Sequence, residues 1–161
     1  MMKFCKVRDV KTPERGTPRS AGLDFFVPND FPTKVVYPGY DILIPSGIKV
    51  NIPEYCMLLG VDKSGIATSA RAKRRVGQTE RLQAKKPSLI IGAKLVDEDY
   101  QGEIHIHIIN VGKTPFTITP GMKIAQFVVV PVLYLDPVEV PEDELFTSAT
   151  ERGSGGFGST N

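Results

Sequence analysis

"FTITPGMKIAQFVVVPV", residues 116–132, decides the fold class. A short run suited to a strand is followed by Pro120-Gly121, and then by a longer run of β-branched and aromatic residues. Proline presets one backbone angle of a tight turn and glycine permits another that other residues resist, so the reading is strand, turn, strand. The same grammar recurs upstream. "KVVY" (34–37) runs into Pro38-Gly39, and "DILI" (41–44) into Pro45-Ser46-Gly47. Further strand candidates are "MLLGV" (57–61), "SLIIGAKLV" (88–96) and "EIHIHIIN" (103–110). Short apolar runs punctuated by 15 Gly and 13 Pro point to an all-β sandwich, barrel or jelly roll. No strand–helix alternation is present, which excludes a doubly wound α/β fold. One helix is expected, starting near Ser64 and running through "GIATSARAKRR".

At 161 residues, with 41% hydrophobic and 24% charged residues, the chain has the profile of one globular domain with a real core. A formal charge of +2 is too small to argue by itself for nucleic acid. The start, "MMKFCKVRDV", has no apolar signal region. The longest apolar run, "IAQFVVVPVLYL", is interrupted by Gln126 and Pro131 and is too short for a bilayer. Cys5 and Cys56 stand alone, with no ligand spacing, so a reduced, cytoplasmic setting without membrane contact is expected. The barrel is expected over residues 1–135, with a basic insertion at about 69–88; residues 136–161 form an acidic, proline-bearing arm and a glycine-rich tail. Such an arm has little to bury in its own domain, which suggests that it lies across a neighbouring subunit.

Five stretches carry chemistry. In "SAGLDFF" (20–26), Asp24 sits among apolar residues; a buried carboxylate must be paired or bound through water to a metal. A turn-capping Asp is the plainer alternative. In "DKSGIAT" (62–68), Ser64 is placed as a helix N-cap; the same serine, with Lys63 and Gly65, makes an anion site. "IIGAKLVDEDYQGEI" (90–104) reads as a hairpin holding three acids at its turn. Asp97 there is suited to act as a general base on water, and Tyr100 offers a flat face to a sugar or base. A solvated acidic loop is the alternative. In "PGMKIAQFVVVPV", Gln126 is a lone amide in an apolar strand and needs partners, which a phosphate or a backbone group would supply.

The tail, "RGSGGFGSTN", contains G-x-G-x-x-G at Gly153, Gly155 and Gly158. A dinucleotide turn must follow a strand and open a helix, and here nothing remains for a helix. The tail is either a frayed end or a mobile cradle carrying one cation, Arg152, and one aromatic, Phe157.

In this order, "SAGLDFF", "DKSGIAT", "VDEDYQGEI", "GMKIAQF" and "RGSGGFGST" resemble the five motifs of the homotrimeric dUTP pyrophosphatases (dUTPases). The resemblance implies a jelly-roll or distorted β-barrel that trimerises, with active sites at subunit interfaces. It implies hydrolysis of dUTP to dUMP and pyrophosphate, with Asp97 activating the water that attacks the α-phosphorus. Tyr100 would pack under deoxyribose, and backbone groups from Gly92 to Val96 would read uracil. Lys63, Ser64, Gly65 and Gln126 would contact phosphates, and Asp24 would reach the water shell of Mg²⁺. The tail would be a lid: Phe157 on uracil, Arg152 on the γ-phosphate, and Gly158, Ser159 and Thr160 adding donors.

This chain carries Lys63 where most members have Arg, and its stretch between the second and third motifs is longer than usual. That stretch, "SARAKRRVGQTERLQAKK" (69–86), is strongly basic. It reads as a solvated excursion or as a surface for nucleic acid or an acidic protein. Two other readings stand beside the enzyme: a dUTPase-fold regulatory binding protein acting on a repressor or nucleic acid, and a relative of dCTP deaminase. His105 and His107 share one strand face, and a satisfied strand histidine is expected there over a metal ligand.

Overall fold

The computed structural model describes residues 2–67 and 88–155. Twelve strands account for most of the order: β1 (Lys3–Lys6), β2 (Glu14–Arg15), β3 (Leu23–Phe26), β4 (Lys34–Val36), β5 (Asp41–Pro45), β6 (Ile48–Asn51), β7 (Cys56–Val61), β8 (Leu89–Ile91), β9 (Leu95–Val96), β10 (His105–Asn110), β11 (Phe116–Ile118) and β12 (Lys123–Pro131). Between β7 and β8 lies α1 (Ser64–Ala67), and the arm holds α2 (Glu142–Leu145), which the sequence reading did not anticipate. The continuation of the expected helix past Ala67 and nearly all of the basic insertion lie outside the described residues.

All pairings are antiparallel, in sheets ordered β2-β3-β12-β7-β9, β5-β10-β8, β1-β6 and β4-β11. The Pro-Gly turns form where expected, with Gly39 at φ 81° and Gly121 at φ 72°, angles that a side chain would resist. "SLIIGAKLV" departs from one continuous strand. It breaks at Gly92, so that β8 pairs with β10 while β9 crosses to β7. The break is stitched by Gly92 N–H donating to the His107 carbonyl (2.9 Å) and Gly60 N–H donating to the Lys94 carbonyl (2.6 Å).

The inward faces of β5, β10 and β12 alternate as half-buried strands should: Ile44, Ile106, Ile108 and Phe127 are buried. Phe25 and Phe127 pack with tilted rings 4.7 Å apart. Asn110 ends β10 fully buried, yet its amide donates to the carbonyls of Val36 and Thr114 and accepts from Gly112 N–H, each at 2.9 Å. Such full pairing is what makes a polar side chain tolerable in a core.

The arm leaves the barrel after β12 with Leu133 84%, Leu135 80% and Phe146 78% exposed. Its start is held at two points. Val132 N–H donates to the Tyr55 carbonyl (2.8 Å), and the Tyr134 hydroxyl donates to Glu98 (2.9 Å).

Candidate active site

Three of the five motifs meet on the outer face of the five-stranded sheet. Register places Gln126 of β12 beside Asp24 of β3 on one side and Val61 of β7 on the other. Lys63 and Ser64 follow at the end of β7, so strand order alone gathers a carboxylate, an amide, an ammonium and a hydroxyl. Asp24 is only 2% exposed. One of its oxygens accepts from Lys63 Nζ (3.1 Å) and Gln126 Nε2 (2.9 Å), and the other from Lys123 Nζ (2.7 Å). Gly22 lies directly under Gln126, where an added Cβ would come within 3.2 Å of the Gln126 Cβ.

Burial works against the charge of Asp24, but the hydrogen bonds from Lys123, Gln126 and Lys63 outweigh it and hold its pKa below the usual carboxylate range. The bond to Asp24, opposed by some desolvation, raises Lys123 above the ordinary lysine value. Lys123 also lies 3.8 Å from Glu14, whose carboxylate is held acidic chiefly by Lys11. Sequence reasoning passed over Lys123. The signal was available: three residues before Gln126, a lysine in a strand whose neighbours are apolar.

Both oxygens of Asp24 are taken, by the ammonium groups of Lys63 and Lys123 and the amide of Gln126, so the carboxylate is paired, one of the states that the sequence allowed for it. Among the described residues no group of three or more His, Cys, Asp or Glu side chains could hold a metal.

The N-cap reading shifts by one position. The Lys63 carbonyl accepts from Ile66 N–H (2.8 Å) and Ala67 N–H (2.9 Å), so Ser64 and Gly65 lie inside the first turn of α1. Asp62 accepts from Ile91 N–H (2.7 Å), tying the second motif to the start of the third.

The third motif lies elsewhere. β9 runs antiparallel to β7 with Val96 opposite Leu58, which carries Asp97 to the level of Met57. Lys63 lies six residues beyond Met57, or roughly 20 Å at the rise of an extended strand. Asp97 and Tyr100 therefore stand at one end of β7 and the lysine cluster at the other. Beside Tyr100 opens a cleft of about 450 Å³ lined by Phe4, Lys49, Asn51, Asp99 and Gln101. The Tyr100 hydroxyl donates to the Glu103 carbonyl (2.9 Å) and passes over Gly102, where any Cβ would be 2.3 Å from that hydroxyl. Arg152 closes a turn within the tail, its Nε donating to the Gly155 carbonyl (2.9 Å). Phe157, Gly158, Ser159 and Thr160 lie outside the described residues.

The family profile named dUTPase matches residues 81–161. A deoxyuridine 5'-triphosphate nucleotidohydrolase of Hydrogenovibrio crunogenus is 34% identical over 157 residues, covering 95% of this chain and 88% of that one. The chain belongs to the dUTPase family. Its fold agrees. A Staphylococcus bacteriophage 80alpha dUTPase, solved with dUpNHpp, superposes with a TM-score of 0.76 at 24% identity, over 100% of this chain and 98% of that one. A dUTPase of phage phi11 of S. aureus, described with a structural Mg(II) ion, gives 0.68 at 21% identity, over 88% and 97%. The all-β jelly roll expected of a dUTPase is the fold observed. No helix among the described residues is long and apolar enough to cross a membrane.

Proposed function

We propose that this chain hydrolyses dUTP to dUMP and pyrophosphate, in sites assembled between the subunits of a homotrimer. The observation that carries the reading is the division of the site along β7. The donor cluster of Lys63, Lys123 and Gln126 and the acid–tyrosine turn of Asp97 and Tyr100 are too far apart to serve one nucleotide from a single copy. Symmetric assembly brings one end of a subunit against the other end of its neighbour. The exposed apolar arm gives a neighbour something to bind.

In this reading the triphosphate displaces Asp24 as the partner of Lys63 and Lys123, because it carries far more negative charge than one carboxylate. Ser64, Gly65 and Gln126 add donors. From the neighbouring subunit, the turn from Gly92 to Val96 reads uracil, and Tyr100 packs on the sugar. Asp97 takes a proton from water as its oxygen bonds to the α-phosphorus; the bond to the bridging oxygen breaks, and pyrophosphate leaves. Arg152, with Phe157, Gly158 and Ser159, closes the site as the tail orders over it. Mg²⁺ arrives as the companion of the triphosphate, and Asp24, released from its lysines, would reach that ion's water shell. The free cysteines, Cys5 and Cys56, suit a reducing, cytoplasmic setting. A nucleic acid or protein partner for residues 69–88 rests on their basic sequence.

Pyrophosphate release from dUTP, dTTP, dCTP and UTP, with Mg²⁺ and with chelator, tests the reading. Metal-dependent turnover confined to dUTP is the expected result, abolished by Asp97→Asn. Release of ammonia from dCTP would place the chain with the deaminases instead. An inert protein that still assembles would leave the regulatory binding protein.

A further inference from the structure

The two histidines of β10 share a face but not a partner. His105 Nδ1 lies 2.9 Å from the Glu103 carbonyl. His107 sits between two elements. Its Nδ1 is 3.1 Å from the Ala93 N–H, and its Nε2 is 2.9 Å from Asp41 Oδ2 of β5. A backbone amide can only donate, so Nδ1 must present its lone pair, and the ring proton must reside on Nε2, directed at Asp41. The backbone of His107 joins in, its carbonyl accepting from Gly92 N–H at 2.9 Å. The turn is shaped around the imidazole: a Cβ on Gly92 would stand 2.3 Å from Nδ1. Two consecutive amides of the turn after β8 therefore rest on one histidine, which a carboxylate orients from behind.

That turn is the segment assigned to uracil, and the inference rests on that assignment. We propose that His107, oriented by Asp41, is a positioning residue for the base-reading turn, and that protonating its ring releases Ala93. A second ring proton would sit on Nδ1, facing the Ala93 N–H donor against donor. The bond holding the turn is then lost, while the bond to Asp41 survives and strengthens. The other charged groups nearby do not offer Nδ1 a competing acceptor. Lys94 and Asp62, on the turn side, face each other at 4.0 Å. Glu103, two residues before β10, is held by Arg8 (2.8 Å) and Gly47 N–H (2.7 Å). Base reading thus weakens in acid by a route separate from the ionisation of Asp97.

The test compares the wild-type trimer with His107→Leu, His107→Asn and Asp41→Asn, using dUTP and dCTP from about pH 5.5 to 8, the range over which a histidine titrates. His107→Leu strands the Ala93 amide. The KM for dUTP should rise about tenfold, the weight of one lost hydrogen bond, with kcat changed by less than about twofold, and preference over dCTP should fall. Asparagine offers an oxygen to Ala93 but does not titrate. His107→Asn should return KM to within about threefold of wild type and remove its rise in acid. In ¹H–¹⁵N spectra without nucleotide, the Ala93 amide should shift with His107 protonation in wild type and not in His107→Asn. An unchanged KM and base preference in His107→Leu, or an Ala93 amide indifferent to the ring's titration, would overturn the inference. If wild type turns over no dUTP, the functional reading fails on its own, and the Ala93 titration still decides whether His107 controls the turn.

Discussion

Asp24 shows how one buried carboxylate is kept charged. Its donors come from β12, which supplies Lys123 and Gln126, and from Lys63 just past β7, so Asp24→Ala strands Gln126, takes its carboxylate from Lys63 and leaves Lys123 only the more distant Glu14. Both lysines can still reach water, and the cost should be roughly 2–3 kcal/mol by chemical denaturation, near the range for a charged hydrogen bond. The pH dependence follows from the sign of the shift. The folded pKa lies below the ordinary value of 3.8, so the stabilisation is complete above that value and is lost as pH falls through the lower folded one. Melting temperature measured down the acid limb should drop in wild type and be flatter there in Asp24→Asn. Gly102 is a second residue-scale constraint. Gly102→Ala should displace the Tyr100 ring, and KM for dUTP should rise while the fold's melting temperature changes little, since the Tyr100 ring is exposed and can swing aside.

At the scale of elements, the turn after β9 and the start of the arm form one unit through Glu98. Its carboxylate accepts from Tyr55 N–H (2.8 Å) and from the Tyr134 hydroxyl (2.9 Å), and the two tyrosine rings lie 6.1 Å apart. The hydrogen bond to Glu98 is the largest of the effects that raise Tyr134 above the ordinary tyrosine value of 10.0, with desolvation and the nearby acids adding to it. A tyrosine raised in this way contributes its stabilisation below the unfolded value and loses it as pH climbs through the folded one. Ultraviolet titration should show one tyrosine of wild type ionising late, and Glu98→Gln should return it toward the ordinary value. Tyr55 holds φ 58°, a left-handed angle uncommon for a side chain this large, and both of its backbone groups are used at this junction. The strain is offset by what it connects.

At the scale of the molecule, the divided site makes a prediction about assembly. Asp97→Asn and Gln126→Ala should each be inactive alone as trimers. Refolded together in equal amounts, they should recover about a quarter of wild-type activity, because each site then draws one half from each of two subunits mixed at random. Activity that stays at zero in mixed trimers would mean that each site is built within one chain. Removing residues 152–161 should leave the sedimentation of the assembly unchanged and cut turnover severely, since Arg152 and the glycines after it touch the barrel only as a lid in this reading.

Local chemistry in the sequence was enough to determine the strand class, the Pro-Gly turns, the burial of Asp24 and the identity of the five motifs. Each depends on a few adjacent residues: alternation, a turn dipeptide, a charge among apolar neighbours. Which groups share Asp24 was not legible, because Lys63 and Lys123 are 39 and 99 residues away in the chain and only strand order brings them together. Nor was the break in "SLIIGAKLV", where a lone glycine between two apolar runs fits a bulge as well as a break, and the choice between β10 and β7 is made by His107 and Gly60. The separation of Asp97 from Lys63 is the furthest from sequence. Pairing register sets it, and register is a property of two strands at once, which neither segment encodes alone.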